Sequence, residues 1–221
     1  MNTLKIRCTL TEEALGMSAP TKELLSKFIQ LQKKRLDKKA AIITADKEKE
    51  EIDQMSLQIK ELENEGRGFT VFPKDDDGAP IFWDYQLKGF FKDAFKALLE
   101  SDDEDFGKTK CGFSKWTSDR TVDQLIFPGP RRIRIILPEG AELGRCDRPL
   151  RTKDNHGVER NALASSETVP AGSVIEFTIT CLKKSLKTQI LKALDYGQLR
   201  GFAQWRNSGK GRFTYEVLED K

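Results

Sequence analysis

Between Tyr196 and Val217 the chain reads Tyr-Gly-Gln-Leu-Arg-Gly-Phe-Ala-Gln-Trp-Arg-Asn-Ser-Gly-Lys-Gly-Arg-Phe-Thr-Tyr-Glu-Val. Gly197, Gly201, Gly209 and Gly211 share this stretch with Arg200, Arg206, Lys210, Arg212 and Trp205, and Glu216 is its single acid. Glycine lacks a Cβ and tolerates positive φ, so a partner's backbone can come close to the main chain. Cations spread through such a loop suit a run of phosphates better than a small neutral ligand. Gly201, Gly209 and Gly211 are therefore candidates for close approach, and Arg206, Asn207, Lys210 and Arg212 for polar contact. Trp205 has two open roles, stacking a base or anchoring the loop on the core.

Regular elements flank this loop. Arg212 to Leu218 alternates like a half-buried strand, with Phe213, Tyr215 and Val217 on one face. Leu186, Ile190, Leu191 and Leu194 recur at helical spacing, and Gly197 is the expected stop. Before that helix, a Pro-Ala-Gly turn leads into a strand that alternates Ile175, Phe177, Ile179 and Cys181 with polar residues. Strand, helix, glycine loop, strand is the second half of a ferredoxin-like or RNA-recognition-type fold.

The net charge of +3 conceals an uneven distribution. From Lys183 to Arg212 there are eight Lys or Arg and one acid, Asp195, a sign that attracts phosphate or simply gives a solvated basic surface. Cys8, Cys111, Cys146 and Cys181 are far apart and form no CxxC pair, which argues against zinc and against a disulfide framework. The composition and the lack of a long apolar run predict a soluble, cytoplasmic protein with no membrane partner. No cofactor is expected.

Leu4 to Leu10 reads as an amphipathic strand able to pair beside the C-terminal one. A helical pattern then runs from Pro20 to about Glu65, with a break near Thr44 to Asp46, and suits protein docking or self-association. After a short strand at Phe69 to Phe72, Asp75, Asp76 and Asp77 form an acidic turn lacking the spacing of a calcium loop. Residues 79 to 99 read as a strand-like entry and a helix with Leu87, Phe90, Phe91, Phe95 and Leu98 as its apolar stripe. Lys88 and Gly89 are expected at that helix's start, where amides and a cation together can hold a phosphate. Ser101 to Asp105 is an acidic linker. Arg131 to Leu137 reads as a strand with Arg132 and Arg134 on one face, a second basic candidate. Arg145 to Ala164 reads as a basic hairpin carrying Arg145, Arg148, Arg151, Lys153 and Arg160 around a turn with the single histidine, His156. A clamp on a nucleic-acid backbone and an exposed loop with incidental charge are both open for it.

Three segments, in order, resemble one family pattern: Ala79-Pro-Ile-Phe-Trp-Asp-Tyr-Gln-Leu-Lys-Gly, Glu167-Thr-Val-Pro-Ala-Gly-Ser-Val-Ile-Glu-Phe, and Leu199-Arg-Gly through Ser208-Gly-Lys-Gly-Arg-Phe. Together the sequence resembles the RAMP superfamily, the RNA-binding repeat-associated proteins that form the backbone of CRISPR effector complexes. The resemblance implies an α+β, ferredoxin-like (RAMP) core over residues 1–221 with a projecting β-hairpin thumb at 140–168, and the helical arm read at 20–65 is an insertion into that core. It also implies RNA contact by the glycine loop and the Lys88 region. Trp83-Asp84-Tyr85-Gln86 replaces the Pro-Gly-Ser-Ser that usually precedes Leu-Lys-Gly, and the arm replaces a short loop. No aspartate or histidine takes a position matching the family's nucleases, so a non-catalytic protein is expected. It would bind single-stranded or guide RNA, alongside other protein subunits, in an antiviral ribonucleoprotein. The alternative is a phage or mobile-element protein that mimics or blocks a CRISPR backbone subunit.

Overall fold

The computed structural model describes residues 1–22, 69–101, 118–153 and 159–221, with Phe106 and a few positions between 25 and 59. Most of the expected arm at 20–65, the linker after Ser101, Cys111 and the turn at His156 lie outside the described residues. In chain order the elements are β1 (Asn2–Leu10), β2 (Ala14–Leu15), β3 (Phe69–Thr70), β4 (Ile81–Trp83), α1 (Asp84–Glu100), α2 (Ser118–Leu125), β5 (Ile126–Gly129), β6 (Arg132–Ile136), β7 (Gly144–Lys153), β8 (Glu159–Val169), β9 (Val174–Cys181), α3 (Lys187–Arg200) and β10 (Phe213–Asp220). The architecture is α+β. Contacts divide the chain into two compact units, one of residues 1–16, 72–144 and 168–221, the other of residues 17–71 and 145–167.

The first unit is built on a sheet in the order β10-β1-β9-β6-β4, with β5 also pairing β9. All of its pairings are antiparallel. Period-two burial explains this arrangement: Leu4, Ile6, Cys8 and Leu10 of β1 face inward beside Ile175, Phe177, Ile179 and Cys181 of β9. Ile6 stands opposite Phe177 and Cys8 opposite Ile175, so the two apolar rows share one face. Burial pushes the Cys8 thiol well up from its ordinary range. Among the described residues, β10 pairs only with β1 and forms an edge carrying Glu216, Glu219 and Asp220. Its inner row runs out of core after Phe213; Tyr215 is half-buried and donates through its hydroxyl to Asp195 Oδ1 at 2.9 Å, and Val217 is exposed.

Helix α1 buries Leu87, Phe90, Phe91, Ala94 and Phe95, the expected stripe, with Leu98 half-buried at its end. Gln86 caps it by accepting from the Trp83 N–H at 2.9 Å. The last helix departs from the expected stop at Gly197 and continues to Arg200. Gly201 (φ 83°, ψ 172°) ends it, its N–H donating to the Gly197 carbonyl at 2.7 Å. Gly197 is a packing glycine, since a Cβ there would lie 2.4 Å from the Phe213 ring and 2.7 Å from Phe90. Helix α2 and strand β5 left no clear periodicity in the sequence; α2 has only Val122 and Leu125 as apolar residues, with Val122 fully buried.

The second unit holds the paired strands β7 and β8, with β3 beside Ser165 and Ser166 of β8 in parallel register. A polar network ties its base: the Ser165 hydroxyl donates to Asp147 Oδ1 at 2.6 Å, Arg145 pairs with Asp147 at 2.6 Å, and Thr70 and Ser166 share a hydrogen bond of 2.8 Å. The described residues from Lys22 to Asp37, together with Ser56 and Ile59, are helical.

Gly197→Ala is expected to cost about 1–3 kcal/mol by overpacking, and Phe202→Ala about 3–5 kcal/mol by cavity formation. Both should appear as lowered urea midpoints at unchanged slope.

Candidate nucleic-acid interface

The glycine loop begins at Gly201 and is closed by its own main chain. Phe202 N–H donates to the Gly211 carbonyl at 2.8 Å, and Gly211 N–H donates to the Glu13 carbonyl at 2.8 Å. A Cβ at Gly201 would stand 2.4 Å from the Lys210 oxygen, and one at Gly211 would stand 2.3 Å from the Phe202 oxygen. The close approach that these two glycines permit is therefore made by the two arms of the loop. Phe202 anchors it, fully buried and stacked on Phe213 at 4.0 Å and 8°, with Phe90 edge-on at 4.9 Å. Between the arms, Trp205 (φ 56°) and Gly209 (φ 81°) bracket a 3-10 turn at Arg206–Ser208. Trp205 is 40% exposed, so Phe202, which the sequence reading left unassigned, is the buried ring of the loop.

Two of the loop's cations, and Arg200 just before it, face carboxylates from distant parts of the chain. Arg206 donates to Asp93 Oδ2 on α1 at 2.7 Å, and Arg200 Nε lies 3.5 Å from the same oxygen. Arg200 also donates to Asn207 Oδ1. Lys210 pairs with Glu13 at 2.7 Å. Arg206 and Lys210 keep only about a quarter of their side-chain surface, 25% and 24%. Arg212 is exposed, with its Nε donating to the Leu199 carbonyl at 2.8 Å and its guanidinium beside Gly209.

The second cluster lies around α1 and β6. Because α1 begins at Asp84, Lys88 and Gly89 fall in its second turn, where their amides belong to the helix. The helix-start reading of Lys88 is thus displaced by one turn. Lys88 Nζ donates to the Asp123 carbonyl at 3.1 Å and lies 4.9 Å from the Phe127 ring centre. Gly89 is exposed, and a Cβ there would meet nothing within 4 Å. A mid-helix glycine costs roughly 1 kcal/mol relative to alanine, and no close neighbour in the described chain requires this one. Arg132 pairs with Asp76 at 3.2 Å, and Arg134 with Asp75 at 3.0 Å and Asp77 at 2.9 Å. Arg132 retains 52% of its side-chain surface and Asp76 retains 94%, so their pair is a surface one, contributing about 0–1 kcal/mol.

In the second unit, Arg148 is buried and donates to Ser166 Oγ at 3.0 Å, inside the network that holds β7, β8 and β3 together. The side chain of Arg151 lies outside the described residues. Among the described residues no group of three or more His, Cys, Asp or Glu is placed to hold a metal ion, and no helix is long and apolar enough to cross a membrane.

No protein-family model matches the chain, and no curated protein matches it. Among solved structures it is similar to a chain in the cryo-EM structure of the Type III-B Cmr-beta complex bound to cognate target RNA, at TM-score 0.50 and 8% identity. That match covers 100% of this chain, which spans 60% of the length of the other. A chain of a Type IV-B CRISPR complex aligns at TM-score 0.43 and 10% identity, over 98% of this chain and 90% of that one. The fold is thus similar to that of a CRISPR effector-complex chain.

Gly89→Ala should stabilise the isolated protein by about 0.5–1 kcal/mol, read as a raised melting temperature. Asp93→Asn should cost about 1–3 kcal/mol, because Arg206 loses a charged acceptor and Arg200 an ion-pair partner. Faster amide exchange across residues 201–211, compared with β1, would check that this loss is local.

Proposed function

We propose that this protein is a non-catalytic, RAMP-like subunit of a CRISPR-type ribonucleoprotein that holds single-stranded or guide RNA by its phosphates. The observation that carries this reading is a fold match spanning the whole of this chain, to a chain from a complex bound to target RNA. The distribution of charge supports it. Lys88 and Arg132 interact with a carbonyl or an exposed acid, Arg134 is itself half-exposed, and Arg212 is exposed, so phosphate oxygens can take over as acceptors at small cost. The open surface over Gly89 gives an RNA backbone room beside Lys88. Arg206 and Lys210 work chiefly by fixing the loop, and Arg148 by fixing the base of the hairpin, so these three carry less of the binding in this reading.

The direct test is the ratio of absorbance at 260 to 280 nm of the purified protein before and after a high-salt wash, with sequencing of any released nucleic acid. Co-purified RNA of uniform length is the expected result. Affinity for single-stranded RNA should fall steeply with salt. Lys88→Ala and Arg132→Ala should each flatten the log–log salt slope by about 0.7, as expected for one lost phosphate contact on a single strand. A clean protein that binds no single-stranded RNA at low salt would sink this reading and favour a protein that mimics or blocks a CRISPR backbone subunit.

A further inference from the structure

We infer that Trp83, Tyr85 and Arg132 form a stacking step for an unpaired nucleobase, separate from the glycine loop and adjoining the phosphate contacts proposed above, with Arg132 common to both. The inference rests on the RNA-binding reading and specifies a base contact within it.

The step stands where edge strand β4 turns into α1. Trp83 is the last residue of β4 and lies opposite Arg132 in the antiparallel register. Its backbone is extended (φ −85°, ψ 147°), its N–H is held by Gln86 Oε1 at 2.9 Å, and the next N–H, of Asp84, donates to the Arg131 carbonyl at 3.1 Å. This hydrogen bonding fixes the strand–helix corner, so the two aromatic side chains leave the backbone from defined positions. Their rings are nearly parallel, at 12° with centroids 6.3 Å apart. The Arg132 guanidinium lies 5.9 Å from the Trp83 ring centre, within cation–π range.

Burial separates these rings from the core aromatics. Phe72, Phe82, Phe91, Phe95, Phe202 and Phe213 are all buried, whereas Tyr85 is 57% exposed on the first turn of a 17-residue helix. A large ring held on a rigid element with its face in solvent loses little conformational freedom when a second planar group stacks on it. The charge around it favours a base over a proline-rich peptide. Lys88 lies three residues beyond Tyr85 on the same helix, at the spacing of side-chain neighbours, and Arg132 borders Trp83. Cations beside exposed aromatic faces are the combination by which single-stranded nucleic acid is held, the backbone by charge and the base by its π-face. Every base has such a face, so the step carries no sequence preference of its own.

The test measures fluorescence anisotropy with two labelled single strands of equal length and phosphate number, an oligouridylate and its abasic counterpart. The wild-type protein should bind the oligouridylate roughly five- to 150-fold more tightly than the abasic strand, the range for one stacked base. Tyr85→Ala should remove that advantage while leaving abasic binding unchanged, and Tyr85→Phe should retain it. A Tyr85→Ala protein that keeps the full preference overturns the inference. Equal binding of both strands by the wild type also overturns it, with the phosphate-binding reading intact. If the wild type binds neither strand, both readings fall together.

Discussion

The stack of Phe202 on Phe213 is the contact on which the first unit's functional surface depends. Phe202 follows the glycine that ends α3 and turns back into the core against Phe213, the first residue of β10. The same ring meets Phe90 of α1 edge-on and lies 6.3 Å from Phe82 of β4. One side chain thus links the end of α3, the interior of α1 and two strands of the sheet. Ring pairs in such geometry add about 0.5–1.5 kcal/mol beyond the area they bury. With Phe202 seated, Arg206 and Lys210 meet Asp93 and Glu13. The aromatic anchor therefore fixes the loop from which Arg206 and Lys210 reach these acids.

Strands β1, β9, β6 and β10 were legible because their apolar residues alternate, and α1 because its phenylalanines follow the helical repeat. The interface was legible only in its composition. A local charge count finds eight cations from Lys183 to Arg212, yet it cannot register that Arg206 faces an acid 113 positions away. Glycine poses the same difficulty, because sequence shows that a close approach is permitted and is silent on what approaches. At Gly201 and Gly211 the neighbour is the loop itself, while at Gly89 the space is open. Two further elements gave little signal: α2 has too few apolar residues to show a period, and the roles of Trp83 and Tyr85 depend on the cross-strand position of Arg132.

Burial also divides the basic residues by what they can do. Arg148, enclosed and hydrogen-bonded to Ser166, would give up a buried hydrogen bond if it moved outward. Arg132 and Arg134 are half-exposed and face the Asp75–Asp77 turn, and their pairs with the exposed Asp76 and Asp77 are ones that water and salt already weaken. Phosphate can compete for the second kind and hardly at all for the first.

The edge position of β10 bears on how the protein behaves at high concentration. An edge strand presents a row of hydrogen-bonding groups that a second chain can extend, and natural sheets counter this with charge. Here Glu216, Glu219 and Asp220 line the edge, with Lys221 paired to Glu219 and Lys187 to Asp220, so a second strand meets a dense row of charged groups. Lys221 holds the Glu219 carboxyl below its usual range, which leaves that residue charged when ordinary carboxylates have begun to protonate. The barrier to strand-to-strand aggregation at this edge is therefore electrostatic, and at Glu219 it persists to lower pH than an ordinary carboxylate would allow.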